Sequence, residues 1–194
     1  MELRDARSNP DFLTEARALS PLGTIPVWVR DEAGKPHVLG DSTIISRWLD
    51  RAIADRPRLW PIESAPAETA LQVAALVDSI LNTLIDTGTR YFALSSAPEW
   101  DSVRTTRMGR VEAMFGQLAT IAAAKGATLG REEWSAAEMW LTTMILWLEG
   151  LPARAASYAP AGQIVSLGYT LPPALSRWAD AHRNRSDLLA LDRT

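Results

Sequence analysis

The chain contains no cysteine and only two histidines, His37 and His182, far apart in its 194 residues. Without a thiol there is no disulfide framework, no cysteine nucleophile and no thiolate metal site, and two isolated histidines give little basis for a zinc centre. Neither sign of charge dominates, since 20 Lys and Arg face 23 Asp and Glu for a net charge of -3. Such a balance supplies no field to attract a phosphate backbone, so nucleic acid is not an expected partner. No unbroken run approaches the roughly 18 to 20 apolar residues of a membrane-spanning helix. The opening MELRDARSNPDF is polar and acidic, where a secretory leader would be basic and then apolar. A soluble cytoplasmic protein with no membrane partner is expected. The phosphate-binding and dinucleotide-binding glycine patterns are missing, as is G-x-S-x-G, which removes the common nucleotide and serine-hydrolase signatures.

What is present is an ordinary globular composition, 47% hydrophobic and 22% charged, on a chain long enough for two small domains. The character changes near residue 60. Residues 1–56 mix short apolar strands with turns, residues 67–194 carry helical periodicities, and the stretch DRPRLWPIESAP between them holds Pro57, Pro61 and Pro66. Each proline fixes its own backbone and bars its predecessor from helix, so 57–66 reads as a stiff linker.

In the first part, Ser8 or Asn9 can cap a short helix with Pro10 at its first position, running to about Leu19. Ile25 to Val29 and His37 to Leu39 read as antiparallel strands joined by a five-residue loop, Asp31 to Lys35. After Gly40, Asp41 or Ser42 caps a helix on which Ile44, Ile45, Trp48, Leu49, Ala52 and Ile53 form a stripe that should be buried.

The second part is almost entirely helical. Helices are expected over 67–87, with a stripe of Leu71, Ala74, Val77, Ile80 or Leu81, and Leu84, and over about 101–125, with Val103, Val111, Phe115, Leu118 and Ala122. Ser135 and Glu138 have the spacing of a capping box, which opens the very apolar run Met139 to Leu148 and marks it as the central helix. A last helix is expected near 172–183. Arg104, Arg107 and Arg110 fall three residues apart and read either as a solvated face or as a receiver for an acidic ligand. Tyr91, Trp100 and Met108 read as core or as the lining of an apolar pocket.

The segments LSPLGTIPV and HVLGDSTIISRWLD, the linker, the helical half with its Ser135-x-x-Glu138 box and the late LPPALSRWADAHRNR follow one another in an order that resembles the glutathione S-transferase family over essentially the whole chain. The resemblance implies an α/β plus all-α fold: an incomplete thioredoxin-like N-terminal domain in residues 1–56, then the family's all-helical C-terminal domain in 67–194. It also implies a homodimer that uses glutathione as co-substrate, with no other cofactor and no metal. By resemblance Pro26 follows a cis bond that turns the backbone of Ile25 toward the cysteinyl part of glutathione, as an added strand would pair. Ser42 faces the glutamyl carboxylate and Asp41 the amine, at a helix start suited to an anion. Plain capping by Asp41 or Ser42 is the alternative that spacing alone favours. Thr24 departs from the Lys or Gln often found there in the family.

The family's first strand and helix, which carry the Tyr, Ser or Cys that activates the sulfur, would precede Met1. A misassigned or truncated start is therefore expected, and with it an unpaired edge on the strand Ile25 to Val29. Ser8 and Ser20 are better read as cap or turn residues, and no catalytic residue is assigned. Two functions follow from the resemblance: a transferase joining the glutathione thiolate to a small electrophile, or a non-catalytic dimerisation or interaction module with the same fold.

Overall fold

A computed structural model describes residues 9–20, 25–53, 58–129 and 134–185. The chain divides into two compact units between Trp60 and Pro61, inside the proline-marked segment.

The first unit begins with α1 (Pro10–Leu19). Asn9 caps it, its side-chain oxygen accepting the Asp11 N–H at 3.0 Å, and Pro10 takes the first helical position where its missing N–H does no harm. Strands β1 (Val27–Glu32) and β2 (Lys35–Gly40) pair antiparallel from Val27↔Gly40 to Glu32↔Lys35. The five-residue loop expected over 31–35 is in fact a two-residue turn. Ala33 and Gly34 both take positive φ, 54° and 79°, the mirror-image turn whose twist matches that of paired strands, and the Gly34 N–H donates to Asp31 Oδ1 at 2.7 Å.

Helix α2 (Ser42–Ala52) lays Trp48 against Trp28 of β1, ring centroids 4.4 Å apart, with the Arg30 guanidinium 4.5 Å from the Trp48 ring. The stripe expected to be buried is covered only in part, for Ile44 and Ile53 remain 52% and 48% exposed. A two-stranded layer is too narrow to cover six residues of a helix. The buried residue of α2 is instead Asp50, whose carboxylate accepts the N–H groups of Leu59 at 2.7 Å and Trp60 at 3.2 Å. Trp60 also donates through Nε1 to Ser46 Oγ at 3.1 Å, so residues 58–60 fold back onto α2 rather than running free.

The second unit comprises α3 (Ser64–Ile85), α4 (Trp100–Lys125), α5 (Ala136–Arg154), α6 (Ala159–Val165) and α7 (Pro173–Asp180). Helix α3 packs against α4 and α5, and Val73, Ile80, Leu84, Phe115, Leu141 and Ile145 lie at the bottom of the core. Leu71 and Val103, both placed in the expected apolar stripes, are 43% and 38% exposed. The buried face of α3 runs through Ala70, Val73, Ala74 and Val77, which leaves Leu71 about a quarter turn away. The stretch Ser64–Thr89 is also long and apolar enough to cross a membrane by length and composition, which counting unbroken apolar runs had missed; here its Val73, Val77, Ile80 and Leu84 form the core.

Beyond Ile85 the chain makes one π turn (Asp86–Arg90) and a short 3-10 turn (Phe92–Leu94) before α4. Gly88 is required in the π turn, because a Cβ there would lie 2.6 Å from Ile164 Cγ1 and 3.0 Å from its Cα. The capping box of α5 forms as expected: Ser135 Oγ accepts the Ala137 N–H at 3.3 Å, and the Ser135 N–H donates to Glu138 Oε2 at 2.8 Å. Helix α6 had no sequence signal, since its seven residues include Pro160 and Gly162. Helix α7 is fastened by Trp178, which donates to the Gly126 carbonyl at 3.0 Å, and His182 lies between the Trp134 and Trp178 rings.

Candidate functional site

The β1–β2 register ends at Val27↔Gly40, so Pro26 and Asp41, the next residue outward on each strand, leave the same end of the hairpin. The two sequence-distant candidates thus each adjoin the last pair of the ladder, whose strands lie about 5 Å apart. The Ile25–Pro26 peptide bond is cis, and Ile25 is exposed.

Asp41 is the N-cap of α2. Its Oδ1 accepts the N–H of Thr43 at 2.8 Å and of Ile44 at 3.2 Å, which decides between Asp41 and Ser42 as the capping residue. Oδ2 makes no hydrogen bond among the described residues. The backbone of Asp41 has φ +75°, a region that a side chain rarely adopts and that costs about 1 to 3 kcal/mol. Ser42, at the first helical position, is half-buried, and neither its N–H nor its hydroxyl has a partner among the described residues. A helix start leaves such N–H groups unpaired, with the positive end of the helix dipole behind them. The end of the hairpin thus offers an amide and a hydroxyl that can donate, one carboxylate oxygen that can accept, and an extended backbone beside them.

Ser20, read as a turn or cap residue, is the C-cap of α1: its N–H donates to the Ala16 carbonyl at 2.9 Å. Its hydroxyl is buried without a hydrogen-bond partner among the described residues, and a Cβ on Gly40 would come within 3.1 Å of it. Ser8 and Thr24 lie outside the described residues.

The helical unit sorts the remaining candidates. Met108 is core, 5% exposed. Trp100 is half-buried with its ring edge-on to Phe92 at 6.1 Å, whereas Tyr91 is exposed. Arg104 donates to the Leu167 carbonyl at 3.2 Å and lies 3.4 Å from Asp101, so it is a tether. Arg107 lies over Tyr91, and Arg110 is exposed. His37 pairs with Glu32 at 3.2 Å, and His182 is a packing residue with Nε2 at 2.8 Å from the Ala127 carbonyl. A cavity of about 220 Å³ near the end of α5 is lined by Leu148, Glu149, Pro152, Val165, Tyr169 and Leu171. Its two polar side chains are already engaged, Glu149 by Arg183 and the Tyr169 hydroxyl by the Leu148 carbonyl. Two residues that matter locally, Asp50 and Gly88, were not singled out from sequence; an acid near a helix end, followed by Arg and Trp, was the available hint for the first.

The sequence matches no protein-family model and no curated protein. The fold does find relatives among solved structures. It is similar to a glutathione transferase family member from Pseudomonas fluorescens Pf-5 with bound glutathione, at 23% identity and a TM-score of 0.64, over 91% of this chain and 77% of that one. It is similar also to a glutathione transferase family member from the same organism with bound S-(propanoic acid)-glutathione, at 20% identity and a TM-score of 0.58, over 98% of this chain and 81% of that one. A hairpin and helix in the order of a thioredoxin-like domain, followed by a helical unit that includes the capping box of α5, give this chain the fold of the glutathione transferases.

Proposed function

We propose that the chain binds glutathione at the open end of the β1–β2 hairpin and joins its sulfur to a small electrophile. The observation that supports this reading is the register Val27↔Gly40, by which Pro26 and Asp41 leave the same end of the hairpin, in a fold shared with solved structures that hold glutathione. The backbone of Ile25 would pair with the cysteinyl backbone of the tripeptide. The Ser42 N–H and hydroxyl would donate to the glutamyl carboxylate, and Asp41 Oδ2 would accept from the glutamyl ammonium. The strained backbone of Asp41 supports a ligand role, because strain of this kind tends to persist where function holds it.

In the reaction the thiol loses its proton to solvent, the thiolate pair forms the bond to the electrophilic carbon, and the leaving group or opened π bond takes the displaced pair. A free thiol has a pKa of about 8.5, so the protein's task is to favour the thiolate rather than to supply a nucleophile of its own. Cytoplasmic location and a homodimer belong to the same proposal. Retention on immobilised glutathione tests it: Ser42→Ala should weaken binding by about 1 to 2 kcal/mol, the scale of a hydrogen bond to a charged group. Equal retention of both proteins would leave Ser42 as a helix residue only.

The second reading, a non-catalytic module of the same fold, is favoured by one observation. Ser20 is the described hydroxyl nearest in sequence to the proposed cysteinyl site, and it is only 4% exposed and so closed to a ligand. Binding of glutathione without the ultraviolet signature of a bound thiolate, and without conjugation, would select this reading.

A further inference from the structure

We propose that the cavity beside the last two turns of α5 is a binding site for a small organic amine, a ring or short alkyl body carrying a protonated amino group, with Glu149 and the Leu148 carbonyl as its receivers. The cavity holds about 220 Å³, room for a single six-membered ring, since benzene occupies an apolar cavity of about 150 Å³. Leu148, Pro152, Val165 and Leu171 give it apolar walls. Its polar groups are acceptors with lone pairs to spare.

Pro152 lies inside α5 and has no N–H, so the Leu148 carbonyl, four residues back, lacks the donor that a regular helix would return to it. Arg154 reaches back to the carbonyls of Trp147 and Gly150, at 3.2 Å each, on either side of this one in sequence. The Leu148 carbonyl is met by the Tyr169 hydroxyl at 3.4 Å, longer than the usual O–H···O range of about 2.5 to 3.0 Å. That bond commits the one proton of the phenol and leaves its oxygen able to accept. Glu149 receives Arg183 on Oε2, while its Oε1 makes no hydrogen bond among the described residues. Arg183 also donates through Nε to Asp180 at 2.8 Å, so one guanidinium serves two carboxylates and the cluster keeps a net negative charge. The negative end of the α5 dipole adds to it. An anion would meet only acceptors here, and a neutral apolar ligand would leave them without a donor. A protonated amine supplies both the charge and three N–H donors, with a body that the aliphatic walls can cover. The site lies wholly within the helical unit and is independent of glutathione.

Three probes of one shape test this in the full chain: benzylamine, benzyl alcohol and benzoate, followed through the backbone amides of Glu149, Val165 and Tyr169 by NMR. Benzylamine should shift all three with a single saturating curve, benzyl alcohol should bind about tenfold more weakly, the scale of one charge-assisted hydrogen bond, and benzoate should shift none of them. Glu149→Gln should weaken benzylamine about tenfold and leave benzyl alcohol unchanged. Pro152→Ala, which gives the Leu148 carbonyl its N–H donor, should weaken the amine more than the alcohol in a protein at least as stable as the wild type. No saturable shift with benzylamine, equal affinity of the wild type for amine and alcohol, or unchanged benzylamine binding in a folded Glu149→Gln protein would overturn the proposal. If Glu149→Gln does not fold, Pro152→Ala decides alone, and equal weakening of amine and alcohol counts against it.

Discussion

At Asp41 one carboxylate oxygen caps α2 through the Thr43 and Ile44 amides, and the other, which makes no hydrogen bond among the described residues, is the one proposed to meet a ligand. The two roles can be separated, because Asn caps helices as well as Asp does and tolerates positive φ. Asp41→Asn should therefore leave thermal stability within about 0.5 kcal/mol while lowering glutathione affinity. A large loss of stability with unchanged affinity would make Asp41 a cap alone. The sequence reveals that an acid and a serine open this helix. It does not reveal which of them caps, since both residue types serve equally well and the choice depends on the backbone angle at Gly40 and Asp41. Tyr169 gives a pH dependence whose sign follows from its burial, which raises its phenol pKa above the ordinary 10.0. The folded chain then holds its proton to higher pH than the unfolded chain does. Stability is full below the ordinary tyrosine pKa and falls as pH rises past it toward the folded value. Tyr169→Phe should show a smaller alkaline decline in melting temperature than the wild type; parallel declines would show that the phenol is not linked to folding.

Among the elements, those with a local chemical cause were legible and those set by neighbours were not. Asn9 with Pro10, and Ser135 with Glu138, are written into the sequence as start signals and form as read. The hairpin turn was placed correctly but drawn too wide, because charged Asp31 and Glu32 look like loop residues until the ladder pairs them with Pro36 and Lys35. Past the end of α3 the π turn lies against α6, where Gly88 leaves room for Ile164, a contact that no local signal announces. Gly88→Ala should destabilise the protein by about 1 to 3 kcal/mol in urea unfolding, the range for overpacking a tight contact. An unchanged midpoint would mean that α6 can move aside. Thr142 supplies the opposite case, a buried hydroxyl with no hydrogen-bond partner among the described residues. Replacing it with Val should be neutral or stabilising by the same measurement, and a loss above about 1 kcal/mol would reveal a partner for it.

For the molecule as a whole, the sequence changes from mixed to helical character near residue 60 because the two halves differ in hydrophobic period; the compact units meet between Trp60 and Pro61. The prolines suggested a stiff linker over 57–66; Asp50 draws Leu59 and Trp60 back onto α2 through two hydrogen bonds that no local signal announces. The likeness to glutathione-bound relatives covers most of the chain at low identity, so the fold is shared while the residues that would touch a ligand must be tested individually. Arg104, Arg107 and Arg110, whose three-residue spacing read either as a solvated face or as a receiver for an acidic ligand, separate into a tether, a stacked cation and an exposed residue.

The most direct measurement follows the backbone amides of the full chain by NMR while glutathione is added. The Ser42 and Thr43 amides, at the start of α2, should shift with a single saturating curve, as should Val27 next to Pro26, and Ser42→Ala should move that curve to higher concentration. No shift at Ser42 at saturating glutathione, or shifts confined to residues beyond 61, would contradict the assignment of the hairpin end as the glutathione site.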